Sequence, residues 1–290
     1  MPKSSEFLTI AAPAKINLHL AVKDKRPDGF HNLESVFLAL DFADTLHFEP
    51  LPAENAVEID MKGFLPMEKN IVFAALSLFR GKTGYSQGLK ITVEKRIPLG
   101  GGLGGGSSDA ASTLLALNTL SGSLLDEDSL LETAASMGSD VPFFVRRAGA
   151  AWVTGRGENI KPVAAPRCFF VLVNPGFPSE TAAAFRLLDE YRAGLTMDDN
   201  GCFEQTLLAA LKSDPAGWPF RNDFLPVFEN REHSVYREMI SQLRDLGAAF
   251  AGLSGAGSTC FGVFTEKTQA EKAALSLRKT WGFAEAACPV

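Results

Sequence analysis

The chain has no excess of basic charge. Its 28 Lys and Arg face 34 Asp and Glu, a net charge of −6 at pH 7. That balance disfavours nucleic acid or an anionic membrane as a partner. Cysteine is scarce, and the four present, Cys168, Cys202, Cys260 and Cys288, match no zinc or redox spacing. They read as small buried hydrophobes in a reducing compartment. No apolar run approaches a membrane span, and the opening MPKSSEFLTI lacks a signal-peptide core. The expectation is a cytoplasmic protein. No internal repeat is present. What remains is ordinary globular composition: 290 residues, 46% apolar and 21% charged, enough for one large or two modest domains.

One stretch is rich where the rest is plain. Pro98 to Ala111 reads PLGGGLGGGSSDAA, with six glycines in the seven positions from Gly100 to Gly106. Glycine loses more backbone entropy on ordering than other residues, roughly 0.5–1 kcal/mol against alanine in regular structure. An ordered run of six therefore needs something to offset that cost. A phosphate-bearing ligand fits, since successive N–H groups without Cβ atoms can turn toward one anion. The flanks agree. Leu89 to Ile97 alternates apolar and polar residues as a half-buried strand does. Ser107 or Ser108 can cap a following helix whose apolar side is Ala111, Leu114, Leu115 and Leu117.

Three other readings fare worse. A flexible linker rarely sits between a strong strand and a capped helix. Gly100, Gly102 and Gly105 fit a Rossmann G-x-G-x-x-G, but Gly-rich runs match it by accident, and the preceding strand is half polar. A Walker loop needs Lys-Ser/Thr after its last glycine, whereas Gly106 is followed by Ser107. A phosphate loop without its own lysine draws a cation from elsewhere in the chain or from a metal.

Further candidates follow from single residues. Phe7–Val22 reads as a strand broken at Ala12-Pro13, with Lys15 on the face opposite Ile16, Leu18 and Leu20. On pattern alone Lys15 is a solvated strand lysine. Lys23–Leu33 reads as a loop with an aromatic and an imidazole together, Phe30 and His31. Strands are expected at Glu34–Phe42, Thr45–Glu49 and Val57–Met61, and helices at Glu68–Arg80 and Glu127–Met137, the latter capped by Asp126. Asp140 falls in a turn between Gly138 and a short apolar strand, Val141–Val145. Pro162–Pro166 fits no element and marks the domain boundary. Beyond it, a central strand (Cys168–Asn174), helices at Thr181–Tyr191 and Ser234–Leu246, a hairpin around Gly255 and Gly257, a helix at Lys267–Trp281 and a strand at Ala284–Cys288 make a β-α-β-β-α-β half.

Four motifs in order, A-P-A-K-I-N-L, P-L-G-G-G-L-G-G-G-S-S-D, G-S-D-V-P-F-F and L-S-G-A-G-S-T-C-F, resemble those of the GHMP kinases. The doubled glycine triplet and D-G-F-H resemble the branch acting on a cytidine diphosphate substrate in non-mevalonate isoprenoid synthesis. The resemblance implies a mixed α+β, two-domain fold: an N-terminal α/β domain (1–163) with the glycine loop between strand and helix, and a ferredoxin-like C-terminal domain (164–290). It implies ATP held by Pro98, Leu99, Gly100, Gly101, Gly102, Leu103, Gly104, Gly105, Gly106, Ser107 and Ser108. Mg²⁺ would be reached by Ser107 or Ser108 through the phosphates. Lys15 and Asp140 would be catalytic, with Lys15 stabilising the ionised aspartate and the transferred group. Asp140 would serve as base or as positioner of the hydroxyl. Asn17, Phe30, His31 and Phe185 would bind the small-molecule substrate, and Gly255 and Gly257 would form a second glycine loop beside the phosphates. Another GHMP kinase, of homoserine or mevalonate type, and a non-catalytic nucleotide-binding regulator stay open, as do monomer and homodimer.

Overall fold

The computed structural model describes residues 7–61, 70–193, 204–229 and 234–290. Along them run β1 (Leu8–Lys25), β2 (His31–Leu51), β3 (Val57–Met61), α1 (Ile71–Thr83), β4 (Gly88–Glu94), α2 (Gly105–Leu120), α3 (Glu127–Met137), α4 (Val141–Val145), β5 (Ala150–Gly155) and β6 (Asn159–Val163). Then come β7 (Phe169–Asn174), α5 (Thr181–Arg192), α6 (Glu204–Ala210), α7 (Leu225–Glu229), α8 (Val235–Asp245), β8 (Phe250–Leu253), β9 (Cys260–Phe264), α9 (Lys267–Trp281) and β10 (Phe283–Ala287). None of these helices is long and apolar enough to cross a membrane.

The chain divides into two compact units that interleave in sequence. One takes Met1–Ala14, Ala43–Ile97 and Gly104–Arg147; the other takes Lys15–Phe42, Pro98–Leu103 and Ala148–Val290. In the first, β3 runs parallel to β4, and β4 runs antiparallel to the Thr45–Leu51 part of β2. Helix α1 packs on α2, and α4 packs on α2 and α3. Val72, Ala75, Leu76 and Phe79 of α1 and Ala111, Leu114 and Leu117 of α2 are buried there. Burying a side chain of Leu or Phe size is worth roughly 1.5–3 kcal/mol, so this stripe carries the layer.

In the second unit, β5 pairs with Leu33–Leu38 of β2 on one side and with β6 on the other, all antiparallel. A separate antiparallel sheet has the order β10-β7-β9-β8. With α5, α8 and α9 this is the expected ferredoxin-like β-α-β-β-α-β arrangement. Its core gathers Val171 and Val173 from β7, Leu188 from α5, Met239 and Leu243 from α8, and Leu277 from α9. Of the cysteines, Cys168 and Cys260 are buried free thiols, and burial pushes Cys168 up to about 12, so neither is a nucleophile. Cys288 is half-buried, and Cys202 lies outside the described residues.

Several local expectations are corrected. Strand β1 runs unbroken through Pro13. It pairs with β2 off the main strand order of its sheet, and an edge strand is where proline is tolerated. The two strands expected at 34–42 and 45–49 are one, β2, because Asp44 is a buried strand residue and not a turn. Strand β4 ends at Glu94, short of Ile97, where the N–H groups of Arg96 and Ile97 are taken by Asp44 Oδ1. Helix α1 starts at Ile71, capped by Asn70, whose Oδ1 accepts the Val72 N–H at 2.9 Å; Glu68 and Lys69 are outside the described residues. Val141–Val145 is a helix with proline in its first turn, not a strand. A five-residue apolar run carries no period that separates the two, and proline suits a helix start. Pro162 belongs to β6.

Candidate active site

The second unit holds Lys15. Its Nζ donates to Asn17 Oδ1 at 2.7 Å and lies 4.6 Å from the centroid of the Phe37 ring. The solvated-lysine reading fails: Lys15 is 4% exposed. An acceptor and a π-face are the company that a buried lysine side chain needs. Asn17 spends its other end on Ser35, Nδ2 to Oγ at 2.9 Å. The backbone then ties the lysine to the glycine loop. Lys15 N–H donates to Leu103 O at 2.9 Å, Asn17 N–H reaches Ser254 Oγ at 3.3 Å, and Ser254 Oγ donates to Gly102 O at 2.8 Å.

Two glycine segments of this unit, Gly100–Leu103 and Ser254–Gly257, are laced together. Thr259 N–H donates to Gly101 O at 3.0 Å, and Ser179 N–H to Gly100 O at 2.9 Å. Asn174 Nδ2 reaches Ser258 Oγ and Thr259 Oγ1 at 3.1 and 3.0 Å. Asn222 Nδ2 donates to the carbonyls of Leu253 and Gly255, both at 2.8 Å. Gly102 has φ +76°, and a Cβ there would fall 2.3 Å from Ser254 O. The loop therefore needs glycine for close approach of backbone to backbone as well as for any ligand. Asn174, Ser179, Asn222, Ser35 and Ser254 are additions that sequence reasoning missed. The one signal that could have found Asn174 is its place, a lone polar residue ending a fully apolar strand.

Also in this unit, His31 and Phe185 stack, ring centroids 5.1 Å apart and 19° between planes. His31 Nε2 is 2.9 Å from Asp189 Oδ1, and Lys25 Nζ is 3.0 Å from Asp189 Oδ2. Burial works to raise the Asp189 carboxyl, but the Lys25 and His31 contacts outweigh it and hold the group below its usual range. Phe30 is 54% exposed, and the Arg156 guanidinium sits over its ring, 4.8 Å from the centroid. Arg156 comes from the Gly155–Gly157 turn between β5 and β6.

The first unit carries the far end of the glycine run. Gly104, at φ +69°, is the N-cap of α2, with no side-chain cap. Ser107 and Ser108 thus sit inside the first turn and do not cap it, a second correction to the expected helix start. Ser108 N–H closes the first bond, to Gly104 O at 2.9 Å, so the N–H groups of Gly105, Gly106 and Ser107 have no partner within the helix. A helix start with free N–H groups is one that suits an anion. Ser107 is partly exposed, whereas Ser108 is buried with its Oγ unpartnered among the described residues. Asp140 heads α4 and is partly exposed. Beneath α2, Lys95 Nζ bridges Asp44 Oδ2 and Asp109 Oδ2, the latter at 2.7 Å. Burial opposes the ammonium, yet the two carboxylates outweigh it and raise Lys95; burial pushes Asp109 up to about 7.

The Mg²⁺ expected with ATP would come with the nucleotide phosphates. Among the described residues no three His, Cys, Asp or Glu converge on a metal-sized site. Mg²⁺ commonly takes its ligands from substrate phosphates, water and one or two protein oxygens. Ser107 offers one such oxygen.

Residues 70–147 match the GHMP kinases N terminal domain, and residues 221–282 match the GHMP kinases C terminal domain. A 4-diphosphocytidyl-2-C-methyl-D-erythritol kinase of Ralstonia pickettii (strain 12J) is 38% identical over 278 residues, 95% of this chain and 92% of that one. A crystal structure of 4-(cytidine 5'-diphospho)-2C-methyl-D-erythritol kinase superposes with a TM-score of 0.81 at 34% identity, covering 97% of this chain and 98% of that one. The mevalonate kinase of L. major, solved with R-mevalonate, shares the fold at TM-score 0.74 but only 16% identity, over 99% and 97% of the two chains. With its motifs in order, its loops in place and its sequence closer to one branch than to the others, the chain belongs to the GHMP kinases and, among them, to the 4-diphosphocytidyl-2-C-methyl-D-erythritol kinase family.

Proposed function

We propose that the chain transfers the terminal phosphoryl group of ATP to the 2-hydroxyl of 4-diphosphocytidyl-2-C-methyl-D-erythritol, a step of non-mevalonate isoprenoid synthesis. The observation that carries the mechanism is the buried Lys15 ammonium, fixed by Asn17 and by the backbone of the glycine loop. Phosphoryl transfer asks the protein mainly for positioning and for charge stabilisation. The N–H groups of Gly105–Ser107 would cradle the phosphates at the head of α2. Lys15 would stabilise charge developing on the transferred group, and its buried setting strengthens that effect. Asp140 would accept the proton as the hydroxyl oxygen bonds to the γ-phosphorus and the bond from phosphorus to the ADP oxygen breaks. Mg²⁺, bound to the triphosphate, would neutralise phosphate charge, with Ser107 Oγ as its protein contact.

On the substrate side, Phe30 would stack on the cytosine, and His31 and Phe185 would frame its edge. Asp189, hydrogen-bonded to His31, would orient that imidazole. In sequence the reading divides the chain near residue 163 into the two family domains. An ATP-consumption panel with diphosphocytidyl-methylerythritol, homoserine, mevalonate and galactose tests it. Turnover of the first alone is expected; preference for any of the others would refute the assignment.

A further inference from the structure

The glycine run leaves β4 at one end and enters α2 at the other, and both ends meet one buried cluster. Asp44, fully buried in the middle of β2, accepts the N–H groups of Arg96 and Ile97 on Oδ1 at 2.5 and 2.8 Å, and the Lys95 ammonium on Oδ2. Lys95 passes to Asp109 Oδ2 at 2.7 Å, and Asp109, 2% exposed, stands just past the first turn of α2. The two stems touch directly as well. A Cβ on Gly105 would lie 2.9 Å from Ile97 Cγ2 and 3.5 Å from Lys95 Nζ.

We propose that Asp44, Lys95 and Asp109 form a clamp that sets the spacing of the two stems and so positions the phosphate-binding turn of α2. They would act on ATP as positioning residues, through the turn they hold. Between Ile97 and Gly105 lie seven residues, of which Gly100, Gly102 and Gly104 have positive φ. Such a segment has many alternative conformations, and fixing its ends at contact distance removes most of them before a ligand arrives. The N–H groups of Gly105, Gly106 and Ser107 ride on the turn that Asp109 anchors. A shift of that turn moves every one of them.

A stem joint serving stability alone would not be built this way. The cluster pairs two buried carboxylates with one ammonium, and Asp109 Oδ1 has no hydrogen-bond partner among the described residues. Apolar residues of similar volume are generally as stabilising as a buried ion cluster, or more so. What charged partners can add is a preferred geometry, set by the directions of their hydrogen bonds.

The inference rests on the reading that this loop holds ATP, which wild-type ATP binding tests separately. The experiment compares Asp109→Asn with Asp109→Ala, and adds Lys95→Met where that variant folds. Calorimetric ATP affinity, the KM values for ATP and for the cytidine substrate, and Tm are read for each. Asparagine keeps an oxygen for Lys95 and alanine does not. The expected result is ATP affinity weakened at least about tenfold in Asp109→Ala, largely recovered in Asp109→Asn, with the cytidine KM within about twofold throughout. Equal ATP affinity in the Ala and Asn variants would overturn the clamp. So would a loss shared equally by both substrates and tracking Tm, which would mark the cluster as structural only. If wild-type protein itself failed to bind ATP, the functional reading would fall first.

Discussion

Replacing Gly102 by alanine is the sharpest probe of the loop. Its φ of +76° is one that an L side chain adopts at a cost of about 1–2 kcal/mol. The added Cβ would stand 2.3 Å from Ser254 O and 2.8 Å from Gly257 O. Both are backbone atoms of the second glycine segment, which is itself held by Asn222 and Ser254, so neither can swing aside as a side-chain tip would. Forcing a methyl into packed surroundings costs typically about 1–3 kcal/mol. The combined strain is roughly 2–5 kcal/mol. If the loop distorts and the fold holds, the strain appears in ATP binding, where each 1.4 kcal/mol is about tenfold in affinity. If the loop resists, it appears in Tm, at roughly 2–4 °C per kcal/mol for a chain somewhat shorter than this one. Calorimetric titration with ATP and a thermal melt on the same sample read both. Gly106→Ala, whose Cβ meets nothing within 4 Å, is the control for the melt and should not lower Tm. Near-normal ATP affinity in Gly102→Ala, together with a melt within about 1 °C of wild type, would refute the close-approach argument.

Lys15→Met and Asp140→Asn should each lower kcat by orders of magnitude while changing the KM for ATP far less; near-normal turnover in a well-folded variant would remove that residue from the mechanism. Phe30→Ala should raise the KM for the cytidine substrate about 5- to 150-fold, the equivalent of 1–3 kcal/mol of stacking, whereas Phe30→Tyr should change little; matched cytidine and uridine substrates should further show His31→Ala losing base selectivity more than ATP affinity. His19, 1% exposed, is pushed down to about 4, by burial first and then by the charges of Arg221 and Lys23. The unfolded chain binds the extra proton between that value and about 6.5, so His19 contributes stability above pH 6.5 that is lost as pH falls toward 4, about 3 kcal/mol in all. Tm–pH curves of wild type and His19→Asn should therefore converge over that interval, and parallel curves would show that His19 is not buried neutral.

The chemistry-bearing residue types were legible, and their burial was not. The glycine triplets stand out on composition, whereas Lys15 and Asp140 are singled out by the family motifs around them, since pattern alone reads them as a solvated strand lysine and a turn aspartate. The alternation Ile16, Leu18, Leu20 is also a true strand signal. It put Lys15 on the solvent side only because a period of two assumes a sheet covered on one face. Here β1 is buried on both faces from Ala14 to Val22. The break expected between Phe42 and Thr45, where Asp44 stands, failed for a related reason. An aspartate between apolar runs reads as a turn, since turns are where a carboxylate usually finds N–H partners. This one finds them at Arg96 and Ile97, some fifty residues away, and keeps β2 continuous.

The same logic explains the residues that were missed. A backbone carbonyl in a tight glycine loop still needs a donor, because leaving it buried and unpaired costs about 1–3 kcal/mol. Asn222 serves Leu253 and Gly255, and Ser254 serves Gly102. Nothing local marks Asn222, and only its place in a glycine motif marks Ser254, since the demand they meet arises in a loop about thirty residues on for Asn222 and about a hundred and fifty residues back for Ser254. Glycine-rich motifs thus carry an implied second list. Each positive-φ glycine that brings two backbones together creates carbonyls to be satisfied, and the small polar residues that satisfy them are spread across the chain. The loop sequence shows that such partners must exist, and only the fold says which Asn and Ser they are.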